Sequence, residues 1–437
     1  MPSQLNTGEK ADADADAIAD VIVIGGGPAG STVAAFLAQR GRRVILLEKS
    51  RHPRFHIGES LLPMNLPILE RMGVLDAVEK LGVRKLAADF PAGNSGGFNS
   101  FEFSRSLPGS PGHAFQVPRA QFDELLFRRA AALNVDARED TEVDGVELHG
   151  DSATVRLRGA QGENTRLRAR FLVDATGRDT LLGSQLRLKR SHPRHRSAAL
   201  FAHFDGVARR EGEHAGNISI YRLADGWIWV IPLPDGLTSI GVVCLPRVLK
   251  ARSGDRNSFF MELLHGVPQL ADRMRDARMA GDVHASGNYS YACDRFHGRG
   301  WLMVGDAAAF IDPVFSSGVY LAMHGAERAA ELVDAVLAGA PEAPMQRAYE
   351  REMRGGMRRF SWFIERFTSP ALAWLFANSR DVYKLEQATI SLLAGRVFNA
   401  REVGRRLVLF KVLYYLTSLR LWREMRRHRR SLRAASA

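Results

Sequence analysis

The chain has 437 residues, 46% hydrophobic and 25% charged, a globular composition with length for a substantial core, which excludes disordered, collagenous and small disulfide-bonded classes. Its two cysteines, Cys244 and Cys293, make no Cys-x-x-Cys pair and join no His cluster at ligand spacing, so disulfide frameworks and zinc sites are excluded and a reducing cytoplasm is expected. The net charge of +12 is concentrated at one end, where residues 401–437 carry 11 Lys and Arg against 2 Asp and Glu; this describes a basic tail and no nucleic-acid-reading module.

The opening segment lacks a basic start followed by a long apolar run, so it does not read as a secretory signal. Its ADADADA tract reads as a disordered tail over residues 1–18. No apolar run reaches the roughly 20 residues needed to span a bilayer.

The first strong pattern is Val21-Ile-Val-Ile24, then Gly25-Gly-Gly27-Pro-Ala29-Gly30, an alanine-rich helix, and Val44-Ile-Leu-Leu47 ending at Glu48. This is one βαβ unit. Gly25 suits a tight turn, Gly27 a close approach to a pyrophosphate, and Gly30 close packing of helix on strand. Glu48 follows at the distance of an acid that accepts ribose hydroxyls, so the unit reads as a dinucleotide site.

Two later strands should return to the same sheet. Phe171-Leu-Val-Asp174 runs into Gly177-Arg178, which would bring Asp174 and Gly177 near the nucleotide. Gly300-Trp-Leu-Met-Val304 runs into Gly305-Asp306, placing Asp306 to hold a sugar or ribityl hydroxyl. Either aspartate also suits a turn or cap role. Between them, residues from about 195 to 285 alternate as an antiparallel, substrate-side sheet, and after residue 340 the pattern becomes helical. The expected class is α/β with an α+β insert: a discontinuous Rossmann-like ββα domain over 19–340 with the sheet insert, then a helical region over 341–437 ending in the basic tail.

Together these segments, from about Val21 to Ala340, resemble the flavin-dependent halogenases and their aromatic hydroxylase relatives. The resemblance implies that the dinucleotide is FAD, with Glu48 on its adenosine ribose, Arg119 of Val-Pro-Arg119-Ala-Gln-Phe-Asp near the cofactor, and Asp306 on the ribityl-phosphate part. Gly226-Trp227-Ile-Trp229-Val-Ile-Pro232 is similar to the family's active-site signature, and on a strand its two indoles share a face. They would form an apolar wall that keeps substrate from the flavin; alone, they read as core. Gly58-Glu59-Ser60 resembles the loop under the flavin, where Glu59 and Ser60 either hydrogen-bond the cofactor or cap the helix after Pro63.

Lys85 matches the family's active-site lysine, whose amine or ammonium would hold the halogenating species, although taken alone it reads as a solvated lysine. Asp312-Pro313-Val-Phe315-Ser316-Ser317-Gly318 resembles the loop beside the flavin ring, with the amides of Ser317 and Gly318 implied as the chloride or bromide site. Phe315 stands where halogenases of free tryptophan carry glutamate, so the loop resembles the phenol and pyrrole branch, which often acts on rings tethered to a carrier protein. The family habit further implies a separate flavin reductase. An aromatic hydroxylase or another NAD(P)H-linked flavin oxidoreductase remains the alternative.

The last segment, Leu407 to Leu416 and then Arg420 to Arg433, is apolar, aromatic and then strongly basic. It suits a helix on an anionic membrane surface, a helix packed on the body with a solvated basic face, or a dock for an acidic carrier protein.

Overall fold

The computed structural model describes residues 18–92, 97–158, 164–192, 197–250, 254–287, 290–378, 381–398 and 400–436. The tail expected over 1–18 lies outside them except for Ile18. Two large sheets face one another across a cavity, and helices cover the first sheet and form the C-terminal region.

The first sheet takes its core from the apolar runs read in the sequence. Ala19–Ile24 is paired in parallel with Val44–Leu47 on one side and Asn164–Asp174 on the other, and Trp301–Met303 continues it in parallel. Val21, Ile22 and Val23 are fully buried, as both faces of a parallel strand under helices must be. Register matters here. Ile24 lies opposite both Leu47 and Asp174, and Asp174 lies opposite Met303, so these strands end together and their following loops meet at one edge. That edge is where open α/β sheets bind ligands.

The helix Pro28–Gln39 leaves the first strand with proline in its first turn and buries every residue from Ala29 to Leu37. It is held between the helices Arg119–Ala132 and Gly318–Leu337. Close approach fixes its entry: a Cβ on Gly30 would lie 1.8 Å from the Gly25 carbonyl oxygen, while Gly25 itself has φ +105°. Small residues here are a steric requirement.

The second sheet runs in the order Arg278–Met279, Ala198–Asp205, Thr238–Cys244, Gly226–Pro232, Ile218–Leu223, Ala87–Pro91 and Phe98–Glu102. It therefore draws two strands from residues 87–102, outside the stretch read as the insert, and the join between Ile218 and Ala88 is parallel. The reason is burial: Ala87, Ala88, Asp89 and Phe90 are all buried, so period-two alternation gives no signal there. Asn217 stitches this join, its Oδ1 accepting from the backbone N–H groups of Leu86 (3.0 Å) and Ala87 (2.9 Å).

Beyond residue 340 the chain forms the helices Glu342–Ile364, Pro370–Ala377, Leu385–Leu393, Arg401–Arg420 and Trp422–Ser436.

Candidate active site

A cavity of about 820 Å³ opens between the strand ends of the first sheet and one face of the second. Gly25, Gly27, Ala29, Glu48, Arg119, Gly177, Asp306 and Pro313 line it from the first sheet's side. Gly30 sits behind, as the contact that seats the helix. No side chain caps the helix Pro28–Gln39, so its first-turn N–H groups and positive end are available to an anionic group.

Glu48 is buried beside the glycine turn. Its Oε2 accepts from the Gly26 N–H at 2.7 Å and its Oε1 from the Ser50 N–H at 3.0 Å, which fixes the carboxylate and leaves lone pairs free for hydroxyl donors. Next to it lies an unforeseen ionic cluster. Arg119 grips Asp123 with two bonds of 2.8 and 3.0 Å and also donates to the Ile57 carbonyl, while Arg54 reaches both Asp123 (3.2 Å) and Glu48 (3.4 Å). Burial pushes the Asp123 carboxyl up, but the Arg119 guanidinium overrides it and holds the group below the usual carboxylate range. The sequence offered a local cue only for Arg119 and Asp123, one helical turn apart.

Asp174 departs from its expected place. It is absent from the cavity lining; Oδ1 accepts from the Thr176 N–H and hydroxyl, and Oδ2 from the Leu182 N–H. It shapes the turn that presents Gly177 instead. Asp306 does face the cavity, where desolvation raises its pKa to about 6.

The opposite wall carries the two indoles. Trp227 and Trp229 line the cavity with ring centroids 5.7 Å apart. Trp229 donates from Nε1 to Ser239 Oγ at 3.1 Å, and Trp227 is hydrogen-bonded to the Asp312 carboxyl. Trp229 lies over Gly241 so closely that a Cβ there would come within 2.1 Å of Cζ2. Phe201, 6.0 Å from Trp229, continues the aromatic surface to His284 and then Phe55 at the mouth.

Glu59 and Ser60 lie at the junction of the two walls, and neither caps a helix. Glu59 Oε1 meets His203 Nε2 at 2.5 Å, across 144 residues of sequence that hid the pairing. Ser60 accepts from Lys85 Nζ at 2.9 Å, and the Leu61 carbonyl accepts at 3.0 Å. Lys85 is 1% exposed, whereas neighbouring Arg84 is exposed. Its ammonium has no carboxylate partner among the described residues, only these neutral acceptors and the Phe103 ring at 5.3 Å. Desolvation lowers its pKa to about 7. It stands one side chain behind the cavity wall, reached through Ser60.

The loop Asp312–Ser317 closes the site. Asp312 Oδ1 accepts from the Val314 N–H, Ser316 adopts a left-handed φ of 55°, and the turn opens into the helix Gly318–Leu337. Pro313, Ser316 and Gly318 line the cavity; Ser317 is buried just behind them. Phe315 points the other way and packs edge-on against Phe367 at 5.7 Å.

The residues present fit FAD and a halide. The uncapped helix end suits a pyrophosphate, Glu48 suits a ribose, and the cavity continues past Asp306 to the indole wall. Among the described residues, Glu59 Oε2 and Ser317 Oγ are buried without a hydrogen-bond partner, a cost that native proteins incur chiefly where a ligand or water completes the site.

Comparison with known proteins agrees with this geometry. A family model described as an FAD binding domain matches residues 18–361. A tryptophan 2-halogenase of Chondromyces crocatus is 34% identical over 355 residues, covering 79% of this chain and 67% of that one. The 1H-pyrrole-2-carbonyl-[peptidyl-carrier protein] chlorinase of Pseudomonas fluorescens is 28% identical, covering 88% and 90%. The solved structure of the myxobacterial chondrochloren halogenase CndH superposes with a TM-score of 0.75 at 32% identity, covering 92% and 97%. Motifs, cavity and relatives thus converge, and the chain belongs to the flavin-dependent halogenases, built on an FAD-binding domain.

Proposed function

We propose that the protein uses reduced FAD, dioxygen and chloride or bromide to halogenate an electron-rich aromatic ring, with Lys85 delivering the halogen. The observation that carries this reading is Lys85 itself: a lysine buried without a counter-ion, titrating near neutrality beside an FAD-shaped cavity. Such burial is costly and is kept where the amine has work to do.

Bound reduced FAD supplies the electrons with which dioxygen converts a halide into an electrophilic hypohalous acid. The glycine turn and helix end hold the phosphates, Glu48 the ribose, and Asp306 the ribityl part. The amides at Ser317 and Gly318, which precede or begin the helix and have no intrahelical acceptor, hold the halide. Trp227 and Trp229 exclude water and keep the aromatic substrate off the cofactor. Lys85, its pKa lowered by burial to about 7, donates to hypohalous acid as the ammonium or takes up halogen as the amine, and orients it toward the ring.

One relative is named for tryptophan and another for a carrier-bound pyrrole, so an electron-rich ring is the shared class. Phe315 supports the phenol or pyrrole side, with the ring free or carried. Supply of reduced FAD by a separate reductase and contact with a membrane surface through the C-terminal helices belong to the same reading. So does the division into an FAD-binding body over 19–340 with its substrate-side sheet and a helical region over 341–437.

The test needs no knowledge of the native substrate. FAD-loaded protein is reduced anaerobically, mixed with oxygenated buffer with and without bromide, and hypohalite is captured with a scavenger. Halide-dependent capture that persists in Lys85→Ala, while halogenation of test phenols and pyrroles falls at least about 100-fold, is the expected pattern. Release of peroxide alone at every halide concentration, with direct reduction of the flavin by NADPH, overturns the reading in favour of a hydroxylase.

A further inference from the structure

The helix Arg401–Arg420 is apolar on two opposite faces. One face, Val403, Leu407, Phe410, Tyr414 and Ser418, is buried. It packs on the helix Glu342–Ile364, where Trp362 meets Tyr414 edge-on at 5.1 Å and Phe363 meets Phe410 at 5.2 Å. The other face carries Val408, Val412, Leu416 and Leu419 at spacings of 4, 4 and 3, which line up on one side of a helix. These side chains are open to solvent: Val408 is 62% exposed, Leu416 56% and Leu419 70%, and Trp422 just beyond is 52% exposed. Eight of the eleven large hydrophobic side chains exposed among the described residues fall between Val408 and Trp422. Exposed leucines are ordinary when scattered; a single contiguous stripe is not.

Charge identifies what covers it. The next helix, Trp422–Ser436, exposes Arg423, Arg426, Arg427, Arg429 and Arg430, and none of the five forms an ion pair among the described residues. Arg420 stacks over the half-open Trp374 ring at 5.7 Å, and Arg426 lies 6.0 Å from Trp422. An apolar stripe bordered by tryptophans and arginines is the pattern of a helix lying at a lipid headgroup boundary, with rings at the interface and guanidinium groups on phosphates. A second copy of the chain is a poor occupant, because it would bring a second +9 segment against the first. Among the described residues no helix is long and apolar enough to cross a membrane, and the proposed contact is in the plane of the surface.

We propose that the helices Arg401–Arg420 and Trp422–Ser436 form a docking face for an anionic lipid bilayer. This names the lipid chemistry and the residues for the membrane contact in the functional reading, and it is independent of the halogenation chemistry because its readout is lipid binding.

The experiment is flotation of the full-length, FAD-loaded protein with phosphatidylcholine vesicles, with and without about one-third phosphatidylglycerol. Binding to anionic vesicles should exceed binding to neutral ones by at least about tenfold and weaken with salt. Arg423→Gln/Arg426→Gln/Arg427→Gln should lose that preference. Leu416→Asp/Leu419→Asp should abolish flotation while bound FAD, melting temperature and hypohalite capture stay at wild-type levels, since both leucines are exposed and neither lines the cavity. The proposal is overturned if the wild-type protein fails to float with anionic vesicles at low salt, or if the leucine variant floats undiminished. It is equally overturned if sedimentation shows a wild-type dimer that the leucine variant dissolves and vesicles do not compete away. Hypohalite capture in the same preparations reports on the halogenase reading separately.

Discussion

In the proposed reading, Lys85 carries function at the expense of stability. Its ammonium is folded into a nook of two neutral acceptors, titrating near 7 there and near 10.5 in the unfolded chain. Between those values the unfolded chain binds the extra proton, so the penalty is complete below pH 7 and fades as the pH rises toward 10.5. Lys85→Met should therefore stabilise the protein by roughly 1–2 kcal/mol at pH 6, with a smaller gain at pH 9, while abolishing halogenation; thermal melts at the two pH values check the sign. His203→Ala should act oppositely. It leaves both oxygens of buried Glu59 unpaired, lowering stability by about 1–3 kcal/mol, and Glu59→Gln in that background should recover part of the loss. Lys85 was found through its place in a motif, because nothing in a lone lysine reveals burial. His203 was not legible at all, since its partner is brought to it only by the meeting of the two sheets. Asp174 misled for the converse reason: its strand-end position was read correctly, but its oxygens accept from Thr176 and Leu182 behind the cavity lining.

At the scale of elements, glycine turns and strands behave as templates with steric tolerances. Gly30→Ala would drive its methyl into the Gly25 carbonyl and displace the helix whose N-terminus is proposed to hold the phosphates. Loss of FAD binding by at least about 100-fold, or failure to accumulate folded protein, is the outcome to look for by flavin fluorescence titration. Gly241→Ala would push the Trp229 indole off its strand. A cost of about 1–3 kcal/mol is expected, with more peroxide and less trapped hypohalite per FADH2 consumed as the wall opens, measured as a product ratio. The βαβ unit was readable because its signals are local: a β-branched run, glycines and a helix of alanines within thirty residues. The strand Gly226–Pro232 was readable from its two tryptophans, although all seven residues are buried and alternation is lost. The strand Ala87–Pro91 was missed for that same burial.

At the scale of the molecule, the cavity exists only because two sheets that share one apolar core converge on it. FAD at 100 times its dissociation constant should add about 2.7 kcal/mol to stability, and Glu48→Ala should weaken FAD binding about 10- to 100-fold; a thermal shift measured against FAD concentration tests both. The general plan, a nucleotide sheet plus a substrate-side sheet and a helical end, was legible from periodicity. The stitching within the second sheet was not, because Asn217 and the Ile218–Ala88 pairing are contacts across more than a hundred residues.

The common edge of the first sheet also sets a schedule for making the protein. Its first strand emerges from the ribosome early, but Asn164–Asp174 must follow before one side is paired, and Trp301–Met303 before the row of strand ends is complete. At ordinary elongation rates the glycine turn therefore waits roughly 15 to 60 s for its last neighbour. Cofactor capture is consequently a late event in biosynthesis, and until then the first strand, paired with Val44–Leu47 on one side, keeps its other edge open.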